Sequence, residues 1–392
     1  MQTRAVYACA SDVVRALEPI EPVYCIYPHV VRRVARRFLE GFPGRVLYAV
    51  KANAEPRMLE LLHESGVAYF DTASLPEIAL VKDTCPGATC YFMGPAKLRG
   101  AARRAYTEYG VRHFVLDHRD ELDALLREIP GRDITLFVRM AAHGPDSTYE
   151  LSSKFGAPPA ACVELLRAAS DAGTMPALAF NVGSLVLRPS AYREALSVCR
   201  EVIEQAEVAV SQLDIGGGFP SPYPEVETPS LARFFEVIAA ARAGLPLPAD
   251  AELLGEPGRA LAAEGMSVLT QVVLRKEDRV YLNDGIYGSL LEPVISHGLV
   301  RFPTRVYRLQ GEASDRRRPF TLYGPTCDSL DVLPKPFWLP VDIRRGDWVE
   351  FGILGAYSHS MRTHFNGFFP DTVVEIGEPA ALPPGASGAA DE

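Results

Sequence analysis

The chain has 392 residues, 48% of them hydrophobic and 23% charged, with a formal charge of −9. That is enough apolar material for a large core in two domains, one of them a barrel of about 250 residues, while basic residues spread this thinly exclude nucleic acid as a partner. The opening MQTRAVYACASDVV has no long apolar stretch and nowhere do 18 apolar residues run together, so neither a signal peptide nor a membrane span is expected and the cytoplasm is the expected compartment.

Residues 1–21 read as a lead-in, and PVYCIY (22–27) as a short strand before an Arg-rich amphipathic helix over roughly residues 28–41. A regular rhythm follows. Strands are predicted at VLYAV (46–50), AYFDT (68–72), TCYFM (89–93), HFVLD (113–117), ITLFVRM (134–140), ALAFNV (177–182), QLDIG (212–216) and ELLGE (252–256). Segments of helical period such as EPRMLELLHESG and DELDALLREI separate them. Eight buried strands alternating with helices imply an α/β fold, a parallel (β/α)8 TIM-like barrel with its site at the carboxyl ends of the strands. The longer gap from 141 to 176 holds HGPDSTYELSSKFGAPP, a polar loop suited to covering such a site.

From residue 263 the texture changes. TQVVLRKEDRVYLND, RVYRLQ, RPFTLYGP and DWVEFGIL read as strands joined by turns without helices between them, which predicts a C-terminal, mostly antiparallel β domain. The expected division is a barrel over 22–262 and a β domain over 263–377, to which residues 1–21 can contribute. The Pro/Gly/Ala-rich tail, 378–392, is expected to be disordered. Seven cysteines without a CxxC pair and eight histidines without ligand spacing argue for reduced thiols and against a zinc site.

The candidate chemistry lies at strand ends. Lys51 follows the first barrel strand, where an amine can be desolvated, kept partly neutral and presented to a carbonyl as a Schiff-base lysine; a lysine snorkelling into solvent is the bland alternative. LDIGGGFP (213–220) puts Gly216, Gly217 and Gly218 after a strand, a backbone cradle for an anion or simply a tight turn. GEPGRA (255–260) places Glu256, Gly258 and Arg259 at the last strand end, and NVGS (181–184) adds Asn181 and Ser184.

Taken in order, YAVKAN, FDTAS, NVGS, DIGGGFP, EPGR, NDGIYGS, GPTCDSLD and GAYS resemble the ornithine decarboxylase branch of the pyridoxal-phosphate decarboxylases with an alanine-racemase-like barrel. The resemblance runs from about residue 22 to 369. It implies pyridoxal 5'-phosphate held on Lys51, with Gly217, Gly218, Ser184, Arg259 and Tyr357 around the cofactor phosphate and Gly258 among the other cofactor-binding residues. It also implies that Glu256 pairs with the pyridine nitrogen and favours decarboxylation, where the related racemases place an arginine. Asp71 and Glu77 match acids near the cofactor, although Glu77 reads equally well as a solvated helix residue. Arg139 and Lys154 match residues lining the site, with Lys154 a candidate to tie a loop across a subunit boundary.

Cys327 and Asp328 resemble a pair supplied by the partner subunit, so the resemblance implies a homodimer with shared sites. A thiol can return a proton to Cα, and a carboxylate beside it can bind a distal ammonium. Tyr287 matches a tyrosine near the substrate. Two departures stand out. Asn181 replaces a histidine that stacks on the cofactor ring, and after YGS the nearest acid to read the distal amine is Glu292 rather than an aspartate. The expected activity is decarboxylation of a basic L-amino acid, L-ornithine first and lysine or a shorter diamino acid next. The alternatives are a sibling enzyme acting on another amino acid or biosynthetic intermediate, and a non-catalytic regulatory homologue.

Overall fold

The structure is a computed structural model that describes residues 5–142, 147–149 and 154–377. All eight expected barrel strands form: Arg45–Ala49 (β1), Tyr69–Thr72 (β2), Thr89–Phe92 (β3), His113–Leu116 (β4), Thr135–Met140 (β5), Met175–Phe180 (β6), Gln212–Asp214 (β7) and Glu252–Gly255 (β8). They are short, buried and parallel, and they pair in sequence order until β8 closes on β1. Strands covered on both faces can be apolar at every position, which is why they read as continuous runs.

Helices Pro56–Glu64 (α1), Leu75–Thr84 (α2), Ala101–Tyr109 (α3), Arg119–Glu128 (α4), Pro159–Asp171 (α5), Ser190–Ala206 (α6), Leu231–Arg242 (α7) and the short Arg259–Ala262 (α8) follow the strands in turn. Pro56, Pro76 and Pro159 stand in first turns, where the missing N–H costs nothing. Helix Pro28–Gly41 precedes β1 and covers the β8–β1 side. Its Phe38 packs edge-on against Phe219 and Phe235, at 5.1 and 5.0 Å between ring centroids, and truncating such a side chain to Ala costs about 3–5 kcal/mol.

Leu47, Tyr91, Val115, Phe137, Ala177 and Leu254 fill the barrel interior. Its lower end is closed by an ion pair of Arg45 with Glu252, and Arg45 Nη1 also donates to Tyr91 Oη at 2.9 Å.

The β domain is a nine-stranded sheet with mostly antiparallel pairing. Its long strand, Met266–Lys276, turns back through Arg279–Leu282 and pairs with Trp348–Phe351. One sequence boundary needs correction. Val23–Ile26 lies in the segment read as barrel, yet its hydrogen bonds go to Met266–Leu269 and Thr372–Glu375 in the sheet, and Val6–Tyr7 joins the same sheet beside Glu375 and Ile376. The chain therefore enters the barrel only after contributing strands to the β domain. The tail from 378 and residues 143–146 and 150–153 of the polar loop lie outside the described residues. Among the described residues no helix is long and apolar enough to cross a membrane, and no cluster of side chains could hold a metal ion.

Candidate active site

At the mouth of the barrel, β1 ends in a single 3-10 turn, Val50–Ala52, that carries Lys51. The turn is clamped from two sides. Asn53 Nδ2 donates to the Gly355 carbonyl at 2.8 Å, and the Tyr357 N–H donates to the Ala52 carbonyl at 2.8 Å. Tyr357 itself takes a left-handed backbone, φ 54°. The lysine thus stands on a turn fixed by the very loop that brings Tyr357 to the site.

Lys51 Nζ donates to Asp71 Oδ2 at 2.6 Å, with 44% of the lysine side chain exposed and 1% of the aspartate. Asp71 is on β2 directly across from Ala49, so parallel register sets the pair. Crowding at the mouth pulls the Lys51 pKa down, but the Asp71 and Glu256 carboxylates outweigh it and the ammonium is held above its usual range. With only protein around it, the two acids favour the ammonium form of Lys51 over the partly neutral amine expected from the sequence.

Three acids converge here. Glu256, at the end of β8, is pushed well above the usual carboxylate range by burial and then by its neighbours Asp214 and Asp71, with Lys51 and Arg139 pulling the other way. Asp214, the last residue of β7, is lifted by burial to about 6, although its Oδ1 accepts the Gly216 N–H at 2.8 Å. Burial and the crowding of three carboxyls thus favour the protonated form of Glu256, while the nearby cations oppose it.

After β7 the chain runs through Gly216, Gly217 and Gly218, with φ of +68° at Gly216 and +103° at Gly218. A Cβ on Gly217 would lie 2.6 Å from the Glu256 carbonyl oxygen, and one on Gly216 would lie 2.5 Å from the Phe180 carbonyl. Only glycine lets these loops approach so closely, and the result is a backbone cradle between the ends of β6, β7 and β8.

Arg259 borders the cradle, 3% exposed. Its Nη1 donates to Tyr223 Oη at 2.8 Å, its Nη2 to Ser184 Oγ at 3.3 Å, and the Tyr357 ring lies 5.0 Å from its guanidinium carbon. The buried Nε has no hydrogen-bond partner among the described residues. A cradle that a Cβ would fill and a buried guanidinium N–H left over both suit a phosphate, and a lysine at the same mouth suits an aldehyde. Pyridoxal phosphate therefore fits the residues present. Gly258 belongs to the same junction, its α-carbon backed against Ala52 and Ala49.

Other candidates separate. Glu77 caps α2: its Oε2 accepts the Ala73 N–H at 2.6 Å while the Ser74 hydroxyl accepts the Glu77 N–H at 3.4 Å. Asn181 is half-buried, with Oδ1 accepting the Gly183 N–H at 2.9 Å and Nδ2 against Gly216. Lys154 is exposed over the Phe155 ring. Glu292 needs correction: it is 0% exposed and ion-paired with Arg259, so it faces the cradle arginine and cannot read a distal amine.

Cys327 and Asp328 sit in a different place. Tyr287 donates a short hydrogen bond to Asp328 Oδ2, Leu330 N–H donates to Asp328 Oδ1 at 3.0 Å, and Asn366 Oδ1 accepts from the Cys327 N–H at 3.2 Å and thiol at 3.4 Å. Those two donors, Leu330 first, hold Asp328 below the usual carboxylate range. Among the described residues no hydrogen bond, ion pair or ring contact joins this exposed cluster to Lys51, Asp71, Glu256 or Arg259.

Four contributors escaped the sequence reading. Asp214 had a signal, an acid closing a strand just before three glycines. Asp331, buried, ties the Thr326 hydroxyl and the Ile286 N–H together and so braces the Cys327 loop against Tyr287. Asn366 and Tyr223 carried no local signal, because their role arises from segments distant in sequence.

The chain is similar to known proteins over most of its length. Residues 29–263 match the family described as pyridoxal-dependent decarboxylase, pyridoxal binding domain. A lysine/ornithine decarboxylase of Selenomonas ruminantium is 35% identical over 334 residues, 83% of this chain and 81% of that protein. Antizyme inhibitor 2 of Xenopus laevis is 32% identical, over 85% of this chain and 76% of that one. The arginine decarboxylase of Paramecium bursaria Chlorella virus superposes with a TM-score of 0.83 at 26% identity, covering 93% of this chain and 98% of that one.

Proposed function

The chain belongs to the pyridoxal-dependent decarboxylases, and from that premise we propose that it decarboxylates a basic L-amino acid to a diamine, L-ornithine to putrescine first, with lysine or a shorter diamino acid next. It works in the cytoplasm as a homodimer with shared active sites. The observation that carries the substrate class is Asp328, a half-buried carboxylate kept ionised by the Leu330 N–H and Tyr287 beside the exposed Cys327 thiol. Such a carboxylate is a ready counter-charge for a distal ammonium.

When bound, pyridoxal phosphate supplies an aldehyde that joins amines and a ring that accepts the electron pair left when the carboxylate departs as carbon dioxide. Lys51 holds the cofactor through Nζ, and Asp71 aims that nitrogen. Glu256 would pair with the ring nitrogen and keep it protonated. Gly217, Gly218, Ser184, Arg259 and Tyr357 hold the phosphate, with Gly258 allowing β8 to close on the Lys51 turn. Arg139 offsets part of the negative charge at Glu256. Cys327 of the partner subunit would return a proton to Cα, while Asp328 of the partner subunit, steadied by the partner's Tyr287, would hold the distal ammonium. The exposure of the Cys327 thiol, and the absence among the described residues of any hydrogen bond or ion pair from its cluster to Lys51, Asp71, Glu256 or Arg259, support its service to another subunit.

The decisive experiment measures carbon dioxide release from a panel of L-amino acids and identifies the amine products. Ornithine, lysine and shorter diamino acids should lead. A preference for diaminopimelate, arginine or an uncharged side chain would assign a sibling activity. A protein without activity on any of them and without the visible absorption of a lysine-bound cofactor would be a regulatory homologue.

A further inference from the structure

The ion pair between Arg259 and Glu292 is the most deeply buried in the barrel mouth, with the two side chains 3% and 1% exposed. Arg259 comes from α8 at the end of β8, and Glu292 opens the short helix Glu292–Ile295 in the segment after NDGIYGS. Tyr223 stands between them, accepting from Arg259 Nη1 at 2.8 Å and lying 3.5 Å from Glu292 Oε2. A buried guanidinium without a counter-ion is strongly destabilising. Glu292 supplies that counter-ion, and it does so at the arginine which borders the glycine cradle.

A phosphate group entering the cradle brings up to two further negative charges to the same guanidinium. Glu292 is then no longer needed for neutrality and instead repels the newcomer from a buried position, where screening by water is weak. We propose that Glu292 is a built-in stand-in for the cofactor phosphate, which keeps Arg259 compensated while the cradle is empty and competes with the phosphate when it arrives. The acid thereby stabilises the cofactor-free protein and weakens its hold on the cofactor. This inference rests on Arg259 being a phosphate ligand.

The test compares wild type, Glu292→Gln, Glu292→Asp and Arg259→Met, each freed of cofactor. Binding of pyridoxal phosphate and of phosphate-free pyridoxal is titrated by absorbance, and melting is followed with and without each. Glu292→Gln should melt earlier than wild type when empty, gain more from pyridoxal phosphate, and bind it about tenfold or more tighter, because a like charge is removed from a buried site. Its affinity for pyridoxal should stay unchanged, and Glu292→Asp, which keeps the charge, should behave as wild type does. Should Glu292→Gln fail to fold alone, inorganic phosphate added on refolding should rescue it; no rescue counts against the proposal. Weaker binding of pyridoxal phosphate by Glu292→Gln, or equal change for both ligands, overturns it. If Arg259→Met weakens both ligands alike, the phosphate assignment itself has failed, whereas selective loss of pyridoxal phosphate in Arg259→Met without tightening in Glu292→Gln refutes only the role of Glu292.

Discussion

Asp71→Asn isolates the force that keeps Lys51 charged. The two side chains meet at 2.6 Å, the aspartate 1% exposed and the lysine 44% exposed. A hydrogen bond to a charged group contributes about 1.5–3 kcal/mol, and water on the open side of Lys51 puts this one at the lower end. About 1.5 kcal/mol corresponds to roughly one pKa unit. The sign follows from the chemistry: without the carboxylate the ammonium gives up its proton more readily, so the neutral amine becomes about tenfold more abundant at a fixed pH below its pKa. Cofactor-free protein offered pyridoxal and cyanoborohydride across a pH series should therefore label Lys51 about tenfold faster in the variant near neutrality, with the profile displaced to lower pH by about one unit. Pyridoxal is chosen because it lacks the phosphate and so reports on Lys51 without the glycine cradle. An unshifted profile, or slower labelling at every pH, would show that Asp71 does not hold the ammonium.

Asp214→Asn should leave the cofactor-free protein unchanged near pH 4 and stabilise it at pH 7.5. Burial lifts this acid from 3.8 to about 6, so the folded state holds a proton that the unfolded chain has lost, and stability drains away as pH rises from about 4 to 6; removing the acid should recover on the order of 2–3 kcal/mol in urea unfolding. Equal stability of the two proteins at both pH values would refute it. Lys51→Ala and Cys327→Ala should each be nearly inactive, yet after subunit exchange the mixture should recover about one quarter of wild-type activity, because half the dimers carry one intact site; proven exchange without recovery would place both residues in one subunit's site. Asp328→Asn should lower kcat/KM for ornithine by about tenfold or more while sparing an uncharged analogue of the same length, and matching losses would show that the distal amine is read elsewhere. Asn181→His should keep activity and product with slightly tighter cofactor binding, since the amide is engaged with Gly183 and packs on Gly216; loss of most activity would mean that the amide serves the chemistry.

Much of the barrel and its site was legible because each part is local. A buried parallel strand is a short apolar run, its end is a glycine, acid or lysine, and the eight runs needed only their order to imply closure; Lys51, Asp71, Gly217, Glu256 and Arg259 all lie within a few residues of such an end. What remained hidden depends on pairing between distant segments. Val23–Ile26 reads as a strand, but only the sheet decides that it pairs with residues 266–269 and not with the barrel. Glu292 reads as an acid near the substrate; its direction was settled by Arg259, 33 residues earlier in the chain, because a buried guanidinium and a buried carboxylate stabilise each other far more than either gains by facing a half-open pocket. The charge states were decided the same way. Spacing along the chain can list Lys51, Asp71, Asp214 and Glu256, but which of them keeps a proton depends on how closely the fold gathers them and how much water it leaves between.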